Sequence, residues 1–388
     1  LFEVSGINKG DKLAKSTQAT FNIKISYDSS ITSQPEELNK TLTINITYVQ
    51  DIGQVIEPDK PTLVNAILSD NTPQSDESID FNMSSAEDGT KGLYYTSTNT
   101  EDNKITYYYR GAVENNYVRF AGYYWRIIRI NEDSSIRLIY QGTTPTATGS
   151  AATIGSSEFN DSDGDSGYVG YMYGEFELCS LDPDTYYCLP GTGSSNYEQA
   201  HENINDSSIK KVIDNWYDNH LTYYEDYLSD SGFCGDRGID EGGGYGISFT
   251  NYGGWNRINL DGILQYKCPQ SNDLYTTASS TKGNKALDYP IGLITIDEVV
   301  YAGITKRISN YNSYLYINNS FWSMTPGATQ GGIYTNTTNL GVNSSGMMNF
   351  TNVDEQSGVR PVINLKSTVE IVEGGDGTSS NPYVIKTN

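Results

Sequence analysis

Residues 117–140 constrain the fold more than any other stretch of this chain. Tyr117-Val118-Arg119-Phe120 is followed by Tyr124-Trp125-Arg126-Ile127-Ile128-Arg129-Ile130, a turn at Asn131-Glu132-Asp133-Ser134, and Ile136-Arg137-Leu138-Ile139-Tyr140. Runs of β-branched and aromatic residues divided by turn residues spell an antiparallel hairpin with a longer loop. The 32 Tyr and 38 Gly extend that reading to the whole chain, because polar strands and turns built with amphipathic aromatics need little Leu or Phe. Two helices are legible within this text. The first runs from about Ile209 to Leu221 with Ser208 as N-cap, and Ile209, Val212, Ile213 and Trp216 form one apolar stripe. The second starts at Thr295, where Thr295-x-x-Glu298 spells a capping box, and ends at Gly303. The expected class is α+β, β-dominated.

Three segments are expected. Residues 1–50 alternate as strands do, with Phe21, Ile23 and Ile25 and then Leu42, Ile44 and Ile46 on one face. Three or four strands make an immunoglobulin-like β module that is incomplete alone. Either upstream strands complete it, or another subunit donates one, which would make the module a point of self-assembly. Residues 51–98, with Pro58, Pro61, Pro73 and many acids, read as a linker with one short apolar patch at Leu63–Leu68 forming at most one helical turn. Residues 99–388 form the large domain, closed by a hairpin of Val369–Val372 and Tyr383–Lys386.

Charge excludes several functions. With 48 acidic and 25 basic residues the net charge is −23, which disfavours nucleic acid and anionic membrane surfaces. No apolar run reaches the ~18 residues of a membrane-spanning helix. The chain opens Leu1-Phe2-Glu3 without Met, as expected of a processed piece. Four cysteines allow three pairings, and the local one joins Cys179 to Cys188 and Cys234 to Cys268. Closing those loops stabilises by about 2.7 and 3.8 kcal/mol in the chain-entropy limit. Zinc would need tighter Cys pairs or a placed histidine, and neither His201 nor His220 supplies one. Disulfides in turn imply an oxidising, extracellular compartment.

The chemical motifs each have a bland alternative. Asp161, Asp163 and Asp165 stand at alternate positions, as at the start of a calcium loop. Ser166 and Met172 occupy the places where an EF-hand has Gly and Glu, so a weak calcium site competes with a solvated acidic turn. Tyr245, Tyr252, Trp255 and Arg257 cluster with glycines, suiting either a ligand-binding loop or packing of that loop onto its own domain. No nucleophile with a histidine partner stands out, and 48 carboxylates make no glycosidase pair identifiable. Arg126 and Arg360, inside apolar strands, are expected to pair with a buried carboxylate or with carbonyls.

The hairpin text beginning Tyr124-Trp125-Arg126 combines with Phe233-Cys234-Gly235-Asp236-Arg237, Phe321-Trp322-Ser323-Met324-Thr325-Pro326, Gly358-Val359-Arg360-Pro361-Val362 and Gly375-Asp376-Gly377-Thr378. Over residues 100–388 this ordered set resembles an uncharacterised family of exported surface proteins of low-GC Gram-positive gut bacteria. More distantly it is similar to C-type-lectin-like and formylglycine-generating-enzyme-like domains. The resemblance implies a compact mixed domain whose long middle loops form the ligand surface. The expected function is therefore a non-enzymatic, extracellular cell-surface adhesive or structural protein, such as a subunit of a pilus-like filament. The alternatives are a monomeric adhesin for glycan or protein ligands and, third, a secreted enzyme acting on glycans.

Overall fold

The computed structural model describes residues 2–5, 22–25, 61–258, 262–332 and 335–387. The chain divides into two compact units, Leu1–Glu57 and Pro58–Asn388. In the first, strands Phe2–Ser5 and Asn22–Ile25 pair antiparallel with Val4 opposite Ile23. The other strands expected of an immunoglobulin-like module over 1–50 lie outside the described residues.

The second unit is α+β and β-dominated. Its main sheet is built on the predicted hairpin, Tyr123–Ile130 against Ile136–Gly142, with Trp125 opposite Tyr140 and Ile127 opposite Leu138. Every residue of Ile136–Gly142 is buried, Arg137 and Gln141 included, so both faces of that strand are covered and it shows no apolar/polar alternation. Strand Val362–Leu365 pairs with it on one side, and Thr106–Arg110 pairs with Tyr123–Ile130 on the other. A second sheet is centred on Phe321–Gln330 and Asn336–Val342. The closing segments meet as expected, with a bridge between Ile371 and Ile385, and Tyr383–Val384 also runs parallel to Tyr117–Phe120.

Both helices form close to their predicted bounds. Ser208–His220 is capped by the Ser207 hydroxyl, one residue before the expected cap, and buries Ile209, Ile213 and Tyr217. Ile296–Tyr301 starts from Thr295, with both halves of the capping box made to Glu298.

The structure corrects the linker expected over 51–98. Residues 51–60 lie outside the described residues, but from residue 61 the chain belongs to the large unit. The apolar patch extends into an eight-residue helix, Leu63–Asp70, whose Leu63 and Ile67 are fully buried in the main core. Leu63 donates its N–H to the Val369 carbonyl, and strand Gly92–Thr96 joins the main sheet beside Thr106–Arg110. Burying each such side chain contributes roughly 1.5–3 kcal/mol, which a linker would forgo.

The motif tryptophans and arginines are internal. Trp125 and Trp322 are fully buried and donate their indole N–H to the Phe120 and Ser157 carbonyls, at 3.1 and 2.8 Å. Of the two partners open to Arg126 and Arg360, the structure selects carbonyls and amides. Arg126 reaches the Val113 carbonyl and the Asn116 side chain, and Arg360 reaches the Tyr140 and Leu315 carbonyls and the Gln141 side chain.

Candidate functional site

Three loops that the sequence marks separately meet on one face of the large unit. Their hub is Asp165, fully buried, whose carboxylate accepts the Gly167 N–H at 2.8 Å, the Ser194 N–H at 2.7 Å and the Ser194 hydroxyl at 2.6 Å. The same Ser194 hydroxyl accepts the Gly246 N–H at 2.6 Å. The Asp-rich loop, the chain following the first disulfide and the glycine-rich loop are thereby tied at one point. Burial pushes the Asp165 carboxyl above its ordinary range, although these donors pull the other way. Gly193 has a φ of +69°, and a Cβ there would sit 2.8 Å from the Cys188 sulfur. Only glycine lets the backbone approach the disulfide so closely.

Both predicted disulfides are present, Cys179–Cys188 and Cys234–Cys268. The first closes a loop with its own internal order. Leu181 bridges Cys188, Asp182 donates its N–H to the Tyr187 carbonyl, and Tyr186 returns one to the Asp182 carbonyl. The Asp182 carboxylate accepts the N–H groups of Asp184 and Thr185, both at 2.9 Å, and those bonds hold it below the usual carboxylate range. Beside exposed Ser180, Asp184 and Thr185, this stapled loop and its flanks show large apolar groups to solvent. Tyr187 is 73% exposed, and Leu178, Tyr186 and Leu189 lie open beside it. Tyr245 and Phe249 of the glycine-rich loop are exposed on the same tied assembly.

The predicted ligand cluster is divided by the structure. Tyr245 is exposed, whereas Tyr252 is fully buried with its hydroxyl donating to the Ser166 carbonyl at 3.0 Å. Trp255 is half-buried against Phe350, ring centroids 4.3 Å apart, with the Lys306 ammonium over it. Arg257 is held between Asp236 and Asp297 at 2.8 and 2.7 Å. Three of the four therefore fasten their loop to its own domain. Asp161, Asp163 and Asp165 are likewise separated. In a loop without strand periodicity alternate side chains need not share a side, and here Asp161 is exposed while Asp165 is turned inward onto Ser194.

Among the described residues, the carboxylates able to hold a cation are Asp206, Asp214 and Asp288, whose ligand oxygens lie within 4.8 Å of one another. The Lys210 ammonium already stands among them, at 3.1, 2.6 and 3.2 Å, so a metal ion would have to displace a tethered cation. Burial pushes Asp214 up to about 6 despite Lys210, and burial does the same to Asp297 despite Arg257. The stability linked to their protonation is fully present below the unfolded carboxyl value of about 4 and is lost as pH rises through about 6. The melting temperature therefore rises as pH falls from about 7 to about 5, and the loss of negative self-repulsion acts in the same direction. Scanning calorimetry across that range checks this, and a steady fall in melting temperature would contradict it.

No protein-family model, curated protein or solved structure matches this chain. The residues of the loop face that sequence reading missed are Leu178, Tyr186, Tyr187 and Leu189. Their signal was present as paired tyrosines inside a ten-residue disulfide loop.

Proposed function

We propose that this chain is an extracellular, cell-surface binding protein of a Gram-positive bacterium, and that it adheres to a protein partner through the stapled tyrosine face. The large unit would then be a relative of C-type-lectin-like domains that uses middle-chain loops for recognition. The observation that carries the reading is the ordered loop Cys179–Cys188, with Tyr186 and Tyr187 exposed at its tip. Tyrosines on a loop ordered before binding supply contact area at little entropic cost. Charge defines the partner. Between Arg137 and Lys210 the chain has no Lys or Arg and 11 Asp or Glu, so the face repels a second copy of itself and suits apolar groups ringed by Lys and Arg. Two disulfides are compatible with an extracellular setting.

The test is binding of the whole chain to an array carrying Lys/Arg-rich peptides that contain aromatic residues, printed beside neutral glycans. We expect retention on the peptides, with a Tyr186→Ser/Tyr187→Ser variant weakened about 100-fold at unchanged melting temperature, as for two interface hot spots. Equal binding by the variant, or retention on glycans alone, would overturn the reading.

A further inference from the structure

The second sheet ends on an open edge. Strand Met348–Asn352 pairs with Asn336–Val342 on one side and, among the described residues, with no strand on the other. Asn343 donates its N–H to the Met347 carbonyl and Val353 donates to the Thr337 carbonyl, which fixes those two cross-strand pairs as hydrogen-bonded positions. Bonded and non-bonded positions alternate along an antiparallel ladder, so Met348, Phe350 and Asn352 turn their N–H and C=O groups away from the sheet. Met348 uses its outward N–H on the Thr305 carbonyl at 3.1 Å, and the Asn352 carbonyl accepts the Glu355 N–H at 3.0 Å. The Phe350 N–H and C=O and the Asn352 N–H are left for solvent or for an added strand.

Where this edge meets Thr305 there is a pocket of about 130 Å³, lined by Phe81, Ile258, Val300 and Met348 and flanked by Lys306 and Arg307. Sites for drug-sized ligands begin at ~300 Å³, so this one has room for a single aliphatic side chain. Both flanking cations are exposed, and among the described residues no carboxylate pairs with either. The Lys306 ammonium lies instead over the Trp255 ring, 4.9 Å from its centroid, and that ring packs on Phe350. In a chain of net charge −23, two adjacent cations without a counter-ion mark a place where an incoming carboxylate is attracted rather than repelled. Past the other end of the strand come exposed Asp354 and Glu355, so the edge runs from positive beside Met348 to negative beyond Asn352.

We infer that this edge binds the carboxyl-terminal end of an extended peptide whose last residue is aliphatic. The peptide adds antiparallel to Met348–Asn352, bonds the free Phe350 and Asn352 groups, seats its last side chain in the pocket and sets its terminal carboxylate against Lys306 and Arg307. The polarity of the edge selects that direction, because the reverse one brings the carboxylate to Asp354 and Glu355 and leaves the cations unmatched. Pocket and cations adjoin, and a chain end supplies an aliphatic group and a carboxylate from one residue. None of Tyr186, Tyr187, Tyr245 and Phe249 lines the pocket, so this site and the tyrosine face can fail separately.

Titration calorimetry of the whole chain with hexapeptides ending in Val or Leu tests the inference. The free acid should bind saturably. Its C-terminal amide, even with Glu at the penultimate position, should bind about tenfold or more weakly, as on losing a charge-assisted hydrogen bond. N-methylation of alternate peptide amides should weaken binding about tenfold in one register and little in the other, since only one set of amides faces the edge. Arg307→Glu should weaken binding about tenfold or more at unchanged melting temperature, and Tyr186→Ser/Tyr187→Ser should leave it unchanged. Amide hydrogen exchange reads the edge directly: Phe350 should exchange faster than Asn349 and Thr351 in the free chain and slow when the peptide is added. The inference is overturned if no free-acid peptide binds, if acid and amide bind alike, if both methylated registers bind alike, or if octanoate binds as well as the peptide. Self-association of the chain that Arg307→Glu abolishes would assign the edge to a second copy and overturn it too.

Discussion

Replacing Glu298 by Gln destabilises the fold by about 3–5 kcal/mol, the usual cost of removing one partner from a buried ion pair. Glu298 is 2% exposed and is the shared counter-ion of Arg129 and Arg137. Burial alone would raise its carboxyl, yet the Arg137 and Arg129 guanidiniums hold it below its ordinary value. Arg129 retains Glu132 after the substitution, but Arg137 keeps only neutral partners, the Gly232 and Leu293 carbonyls and the Asn364 side chain. Burial already pushes Arg137 down to about 10, so losing the carboxylate leaves an unneutralised charge in the core. The other Glu298 oxygen caps the helix by accepting the Thr295 N–H at 3.0 Å, a bond that Gln can keep. The loss therefore belongs to the charge and not to the cap. Guanidinium denaturation should show a lowered midpoint at unchanged slope. A change below ~1 kcal/mol would mean that the pair is solvated rather than buried.

How far the sequence disclosed this molecule depended on the range of each signal. The hairpin at 123–142, the helix from Ser208 and the capping box at Thr295 were legible because each is written within one or two turns of chain. The disulfide pairing was legible for a related reason, since each cysteine found its nearest neighbour. The burial of the helix at Leu63 was not, because the partner that draws it into the core is Val369, some three hundred residues later. An apolar patch beside prolines looks the same in a linker and in a core until that partner is known. The ion pairs of Arg257 were invisible for a different reason. Asp236, Arg257 and Asp297 come from three separated segments, and a chain with 48 carboxylates gives no local ground for choosing two. Spacing misled at Asp165, where the fold uses a calcium-like acid to accept N–H groups. Composition was ambiguous at Tyr252, which has the same neighbours in sequence as an exposed binding-loop tyrosine but is fully buried.

Arg360 provides the sharper test of what a buried cation does in this fold. It is fully buried, and its guanidinium donates to the Tyr140 carbonyl at 3.1 Å, the Leu315 carbonyl at 2.8 Å and the Gln141 side-chain oxygen at 3.3 Å. No carboxylate pairs with it among the described residues, and burial pushes it down to about 9. If charge were its contribution, Lys would substitute tolerably. If the fixed fork of donors matters, Lys should be nearly as damaging as an apolar residue. An ammonium on a flexible stem cannot reach three divergent acceptors, and it gives up more hydration on burial than a guanidinium does. Arg360→Lys and Arg360→Met are both expected to cost about 3 kcal/mol or more, because each strands the Tyr140 and Leu315 carbonyls at ~1–3 kcal/mol apiece. The two midpoints in denaturant should lie close together and far below the parent. A lysine variant near parental stability would show instead that the positive charge itself is what holds the strand bearing Tyr140 to the segment bearing Leu315.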